Sequence, residues 1–305
     1  MSISTTISAP VFGVPCSSVI TPYYTYWTRR STGREWFLPV ADYPILRLFP
    51  TSIANVLMSS ALRYIAAPVN EPRREHGLAE VGDIIDVMTW GDRVPFPDDP
   101  LLVPLTYQAP HETFLGPLLW SPQVPLPEYW DELGRDRPMI YATLGSSGTI
   151  KAVPPVLEAL GGMDVDVVFS TAGYAVPKHL PPNVHMVDMI PGDLAARKAA
   201  VVVCNGGTGT GYQALAEGTS TVSTPFTADQ VMAARFVRDA GAAVLLPNSS
   251  KVTAAEIRTA VERVMRDASF AQAAQRMAAS FAGFDPHARF QAFIDQPKRI
   301  SINDS

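Results

Sequence analysis

A chain of 305 residues with 47% hydrophobic and 17% charged side chains can bury sizeable cores, which excludes disorder as its general state and suits about two domains. Its net charge of 24 − 29 = −5 leaves no basic stripe to displace counterions from a nucleic acid, so a nucleic-acid partner is excluded. Cys16 and Cys204 lie far apart in apolar surroundings and read as reduced core thiols, and no apolar run reaches the ~18 residues of a membrane helix.

In chain order, the amino terminus shows no basic stretch followed by an apolar one, so no signal peptide is read and the expectation is a cytoplasmic protein. Residues 14–20 read as a strand, 53–66 as a helix, 71–76 (EPRREH) as a helix surface and 84–89 as a short strand. That is too little alternation for a complete α/β domain. Nine prolines between 94 and 127 predict an extended connector, because proline at that density cannot sit inside a sheet or a helix.

From residue 138 onward, short apolar runs alternate with helical patterns. Strands are predicted over 138–145, 165–170, 184–190, 200–204, 221–224 and 243–246, with helices over 153–160, 193–198, 210–217 and 229–240. Thr253 with Glu256 three residues later forms a capping box for a helix reaching about residue 266. Alternation of this kind predicts a doubly wound parallel sheet. The domain boundaries so read are 1–118, a linker over 119–137, 138–285, and a tail over 286–305.

The densest chemical signal is the turn Asn205-Gly206-Gly207-Thr208-Gly209-Thr210-Gly211 between the strand 200–204 and the following helix. Backbone amides converge at such a turn and the helix end adds roughly half a positive charge, which suits a phosphate or diphosphate. One strand later, Asp229-Gln230 opens the next helix and can offer a carboxylate and an amide to hydroxyls. Phosphate followed by hydroxyls describes a nucleotide sugar. Ser146-Ser147-Gly148, at the carboxyl end of the first strand of this half, reads either as an ordinary polar turn or as a second wall of the same site.

Other chemistries fit less well. A dinucleotide fingerprint places Tyr212 where a third glycine is needed, although Asp229 does fall 20 residues after Gly209. A phosphate-binding loop with Gly-Lys-Ser/Thr is excluded, since no lysine occurs between Lys198 and Lys251. Ser146 and Ser147 lack a nucleophile elbow, and the five histidines show no metal spacing, so no metal site is predicted.

With residues 141–148 (YATLGSSG), Asn205 to Leu215, Gly218, Pro225, Asp229-Gln230 and Gly241, the chain from about residue 11 to 293 resembles the nucleotide-sugar-dependent glycosyltransferases of the GT-B fold. This is the group that contains macrolide, antibiotic and UDP-glycosyl transferases. The resemblance implies two Rossmann-like domains, the donor bound mainly by the second and the acceptor by the first, with a final helix over 286–294 crossing back. It implies a hexosyltransferase that inverts the anomeric centre, needs no cofactor or metal, and uses a nucleotide diphosphate sugar as co-substrate. Ser146, Ser147, Gly148 and the run Asn205, Gly206, Gly207, Thr208, Gly209, Thr210 would hold the diphosphate. Gln213 would meet the ribose, Ile190 would lie near the base, and Asp229 and Gln230 would bind sugar hydroxyls. The base itself (uracil, thymine or guanine, in UDP, dTDP or GDP) stays open.

Three departures qualify this. The common pattern has His at Asn205 and Glu at Gln213; a neutral amide in place of a carboxylate on the ribose costs roughly tenfold in affinity. At ~30 residues per β-α-β step, roughly 80–100 residues of the expected first domain have no counterpart, including the position of the catalytic base. His111 is a weak substitute for it. Three readings therefore stand: a glycosyltransferase inactive as this chain alone, a donor-binding subunit completed by a separate N-terminal chain or by a second copy, and an auxiliary homologue without chemistry. Residues 22–27 (PYYTYW) and Trp36-Phe37 read equally as the lining of a hydrophobic small-molecule acceptor pocket and as core.

Overall fold

The computed structural model describes residues 5–14, 16–22, 51–105, 108, 110–175, 179–247 and 249–295. The chain divides into two compact units, Leu119–Gly283 and Met1–Leu118 with Phe284–Ser305.

The unit Leu119–Gly283 is built on six parallel strands: β3 (Met139–Thr143), β4 (Asp166–Ser170), β5 (Val184–Val187), β6 (Val201–Cys204), β7 (Thr221–Ser223) and β8 (Ala243–Leu245), in the order β5-β4-β3-β6-β7-β8. The three central strands β3, β4 and β6 are buried along their whole length, which is why they read as unbroken apolar runs rather than alternating ones. Alternate residues feed opposite faces. Ile140, Ala142, Val167, Phe169, Val201 and Val203 pack with the helices Val153–Gly161 and Ala254–Arg266. Met139, Tyr141, Val168, Val202 and Cys204 pack with Ile190, Ala195, Ala196 and Ala214 on the other side. Burial pushes the Tyr141 phenol up to about 12 and raises the Cys204 thiol.

The strand order reverses between β3 and β6, and the pairing of Thr143 with Cys204 brings the carboxyl ends of these two strands level. Open α/β sheets bind ligands at that switch point. The capping box at Thr253 forms as expected: Thr253 Oγ1 accepts from Glu256 N at 3.3 Å, and Glu256 Oε2 accepts from Thr253 N at 2.8 Å. One helix, Ala268–Phe281, has no counterpart in the sequence reading. It starts with only Asp267 between it and its predecessor, and the Asp267 carboxylate accepts from Ser269 N at 3.0 Å. Its buried stripe of Phe270, Ala273, Ala274, Met277 and Phe281 includes the ring that meets Tyr212 edge-on at 5.7 Å. Tyr212 is thus a packing residue.

Asp166, at the start of β4, accepts from Arg137 Nε at 2.7 Å and from Gly134 N at 2.9 Å. Burial alone would push its carboxyl up, but the Gly134 amide and the Arg137 guanidinium outweigh it and hold the group below its ordinary value. A depressed native value adds stability above the unfolded pKa and loses it as pH falls through the folded one. Asp166→Ala is expected to cost about 1–2 kcal/mol at pH 7, the ion-pair share being discounted for the partly exposed Arg137. The difference from wild type should shrink below about pH 4, which urea midpoints at pH 7 and pH 3 will show.

In the other unit, the described residues 14 and 16–20 do not form the expected strand. Ser17 makes one parallel bridge with Arg93, and Ser18 N and Ile20 N donate to Arg93 O and Pro95 O at 3.2 and 3.3 Å. The ladder stops there because Pro95 has no N–H to return. The proline-rich segment is likewise not all connector: β1 (Val94–Phe96) contains Pro95 and pairs in parallel with β2 (Glu112–Phe114). Val94 N donates to His111 O and Leu115 N to Phe96 O, so the imino nitrogen of Pro95 faces away from β2 and costs that pair nothing.

Residues Ile84–Met88 form a helix instead of a strand. Asp83 Oδ1 accepts from Asp86 N at 3.1 Å, and Asp86 Oδ2 accepts from Gly82 N at 3.0 Å, so paired aspartates override the β-branched pair Ile84-Ile85. The predicted helix 53–66 extends over Thr51–Glu75 and carries Pro68 and Pro72 inside it. Arg73 is not on the surface as expected: it is 4% exposed, donates to Ala79 O at 2.7 Å and to Thr6 O, and stands over the Trp90 ring. The last helix, Pro286–Asp295, belongs to this unit, where Arg289 Nη1 donates to Phe114 O at 3.0 Å and the Arg93 guanidinium lies over Phe293. Residues 23–27 and Trp36-Phe37 of the expected acceptor lining fall outside the described residues.

Candidate functional site

The loops that leave β3 and β6 meet at the switch point. After β6 the chain turns sharply at Gly206, with φ +77°; a Cβ there would lie 2.8 Å from Ala234 Cβ and 3.2 Å from Ser223 Cβ, so only glycine fits. Asn205 is 5% exposed and its Oδ1 accepts from Gly207 N at 3.1 Å, while Gly206 N donates to Cys204 Sγ at 3.4 Å. Two of the amides expected to face the diphosphate are therefore used to shape the turn, one of them through Asn205 Oδ1.

The helix Thr208–Ala216 begins at Gly207, in an extended conformation with no side-chain cap. Its first intrahelical bond runs from Gly211 N to Gly207 O at 3.0 Å. This leaves the amides of Thr208, Gly209 and Thr210 without an acceptor among the described residues. They are the orphan donors of a helix start, carrying its partial positive charge. Gly209 has nothing within 4 Å of the place its Cβ would take.

The loop after β3 runs alongside. A Cβ on Gly145, at φ +59°, would lie 3.2 Å from Asn205 Nδ2, and one on Gly148 would lie 2.3 Å from Leu144 O. Between these two glycines Ser146 and Ser147 are exposed. Gln230 ties this loop to the third one. It is the third residue of the helix Ala228–Asp239, which Thr227 caps, and it is 2% exposed. Its Nε2 donates to Ser147 O at 3.0 Å and Ser147 Oγ at 3.2 Å, and its Oε1 accepts from Phe226 N at 2.8 Å and Thr227 N at 3.2 Å. The Gln230 amide, expected on a sugar hydroxyl, is thus fully occupied by protein, because a primary amide has two protons and two lone pairs. Asp229 is half-buried in the first turn of the same helix.

In the second turn of the helix Thr208–Ala216, Gln213 Nε2 donates to Trp120 O and to Ser121 Oγ, the latter at 3.0 Å, and Ser121 Oγ also accepts from Asp193 N at 3.2 Å. A Cβ on Gly192 would meet Gln213 Oε1 at 2.4 Å. An amide rather than a carboxylate is needed at Gln213, since only the amide donates to the Trp120 carbonyl. Ile190 is 3% exposed and sits in the core cluster under the sheet, so only its main chain can lie beside a base. The sequence pattern does not single out Gly192 or the Trp120-Ser121 pair, and shows Gly145 only as part of the run 141–148. The proline before Gly192 was the one local signal. His111 belongs to the other unit, just before β2.

Comparison with known proteins follows the same lines. Residues 154–288 match the family described as the erythromycin biosynthesis protein CIII-like C-terminal domain. A PGL/p-HBAD biosynthesis glycosyltransferase of Mycobacterium tuberculosis is 38% identical over 295 residues, covering 93% of this chain and 67% of its own length. A PGL/p-HBAD biosynthesis rhamnosyltransferase of Mycobacterium bovis is 36% identical over 298 residues, covering 94% and 64%. An inactive PGL/p-HBAD biosynthesis glycosyltransferase of the same species is 39% identical over 165 residues, 52% of this chain and 43% of its own. The chain thus spans about two thirds of the first two relatives. Among solved structures, the spinosyn rhamnosyltransferase SpnG complexed with thymidine diphosphate superposes with a TM-score of 0.65 at 18% identity, over 96% of this chain and 70% of that one. An α/β fold of the GT-B kind and identity above one third to the mycobacterial enzymes together place the chain in the glycosyltransferase family.

Proposed function

We propose that the chain binds a nucleoside diphosphate sugar and serves the transfer of that sugar, with inversion, to a hydroxyl of a small hydrophobic acceptor. The observation that carries this is the set of three unpaired amides, Thr208, Gly209 and Thr210, at a helix start beside the exposed Ser146 and Ser147. In the reaction the acceptor oxygen attacks the anomeric carbon, the bond from that carbon to the diphosphate breaks, and the acceptor proton passes to a base that none of the matched positions supplies. Negative charge grows on the departing diphosphate, where preorganised amides and the helix end oppose it; such fixed donors are the large term in catalysis of this kind. Gln213 Oε1 meets the ribose and Asp229 a sugar hydroxyl. The names of the relatives point to rhamnose as the sugar and to PGL/p-HBAD compounds as acceptors, and the thymidine diphosphate in SpnG points to dTDP as the carrier. The buried free thiol of Cys204 fits a reaction in the cytoplasm.

A second reading is favoured by the inactive relative: an auxiliary homologue that binds a donor without transferring its sugar. Incubation of the chain with dTDP-rhamnose and a small hydrophobic acceptor that carries a free hydroxyl, followed by NMR of the anomeric configuration, separates the two. An inverted glycoside supports the first reading, binding without product supports the second, and neither binding nor product overturns both.

A further inference from the structure

We propose that the exposed indole of Trp120 is the face on which the donor's nucleobase stacks. The proposal rests on the donor-site reading above and deepens it, because the buried side chain of Ile190 supplies no such face. Trp120 is 73% exposed, an uncommon state for a large ring that elsewhere carries cores and interfaces. Of the other described tryptophans, Trp90 lies under the Arg73 guanidinium and Trp130 under the Lys198 ammonium. Among the described residues no ring or cation meets the Trp120 indole. Its main chain, by contrast, is anchored. Trp120 O accepts from Gln213 Nε2, and the hydroxyl of the next residue, Ser121, accepts from Gln213 Nε2 at 3.0 Å and from Asp193 N at 3.2 Å. A free ring on a fixed backbone loses little freedom when a ligand covers it.

The spacing along the helix Thr208–Ala216 names the ligand part. Its open amides are those of Thr208, Gly209 and Thr210, and Gln213 follows three to five residues later. At 1.5 Å per residue this is about 4–8 Å along the axis, a step that fits the succession from diphosphate to ribose. The base is the next group in the molecule and falls beyond Gln213, where the partners of the Gln213 amide are Trp120 and Ser121. Every base presents a π face, so an indole serves uracil, thymine and guanine alike, and stacking supplies affinity rather than choice among them.

Trp120→Ala removes the ring and keeps the carbonyl that Gln213 uses, so its melting temperature should stay within a few degrees of wild type. The test is calorimetric titration of dTDP, UDP and GDP into wild type, and of the tightest of them into Trp120→Ala and Trp120→Phe. The indole Nε1–H signals of wild type are followed by NMR with the same diphosphate. Trp120→Ala is expected to lose about 5–100-fold in affinity, and Trp120→Phe less, because a smaller ring still stacks. The indole signal absent from Trp120→Phe belongs to Trp120 and should shift on saturation. Affinity of Trp120→Ala within twofold of wild type overturns the proposal, and so does saturation that leaves that indole signal in place. Failure of wild type to bind any of the three diphosphates overturns the donor reading and this inference together. Binding that Trp120→Ala shares overturns this inference alone. If Trp120→Ala does not fold, Trp120→Leu, apolar but without a π face, carries the same prediction.

Discussion

Thr208→Pro is expected to weaken dTDP binding by about 10–100-fold while leaving the melting temperature within a few degrees of wild type. Thr208 is the first residue of its helix, and its amide has no intrahelical acceptor. Proline is tolerated at that position, because its fixed φ suits the helix and the lost N–H was an orphan. The one steric demand proline makes is that the preceding residue be extended, and Gly207 already stands at φ −68°, ψ 156°. The substitution therefore removes a single donor from the diphosphate and nothing from the fold. A hydrogen bond to a charged group is worth about 1.5–3 kcal/mol, and about 1.4 kcal/mol is one decade in affinity. Thr208→Ala controls for the lost hydroxyl. Equal affinity of Thr208→Pro and Thr208→Ala would mean that this amide does not meet the ligand.

Gly206→Ala should lower the melting temperature by about 5–15 °C, whereas Gly209→Ala, three residues on, should leave it unchanged or raise it. At Gly206 the backbone is left-handed and a methyl group would stand 2.8 Å from Ala234 Cβ. The conformation costs about 1–2 kcal/mol and the overpacking about 1–3 kcal/mol more, with each kcal/mol worth about 2–4 °C in a unit of this size. At Gly209 the same methyl group meets nothing within 4 Å, and alanine gains helix propensity. Calorimetric melts of the two variants read the contrast directly. A like response from both would show that the turn is not built as described.

The contrast between these two glycines marks how far the sequence carries. The unit Leu119–Gly283 is legible nearly throughout because its signals are strong and local: central strands buried on both faces appear as unbroken runs, and Thr253 with Glu256 announces a helix start. The helix Ala268–Phe281 escaped because no glycine or proline separates it from its predecessor, and its alanines blur the apolar stripe. Among the described residues of the unit Met1–Leu118 with Phe284–Ser305, the elements are three to seven residues long apart from two helices, and short elements are decided by pairing. Pro95 enters a strand because its nitrogen faces away from β2, and Ile84–Met88 coils because two aspartates cap it; neither fact is visible without the partner.

The site divides in the same way. That loops at residues 146–148 and 205–210 form one end of a sheet follows from strand–helix alternation. Which groups in them remain available does not follow. Asn205 and Gln230 are residue types that bind ligands, and here Asn205 Oδ1 accepts from Gly207 N and Gln230 Nε2 donates to Ser147, contacts between segments up to 83 residues apart. The donors at the helix start are backbone amides, which every residue but proline has, so only the geometry of that start singles out Thr208, Gly209 and Thr210.

The most direct test is an amide NMR titration of the isotopically labelled chain with dTDP. The account predicts saturable downfield shifts of the Thr208, Gly209 and Thr210 amides, accompanied by Ser146 and Ser147, with Gly206 and Gly207 moving less because their protons are already held. Saturation that leaves those three amides in place, or that shifts another part of the sheet edge, would contradict it.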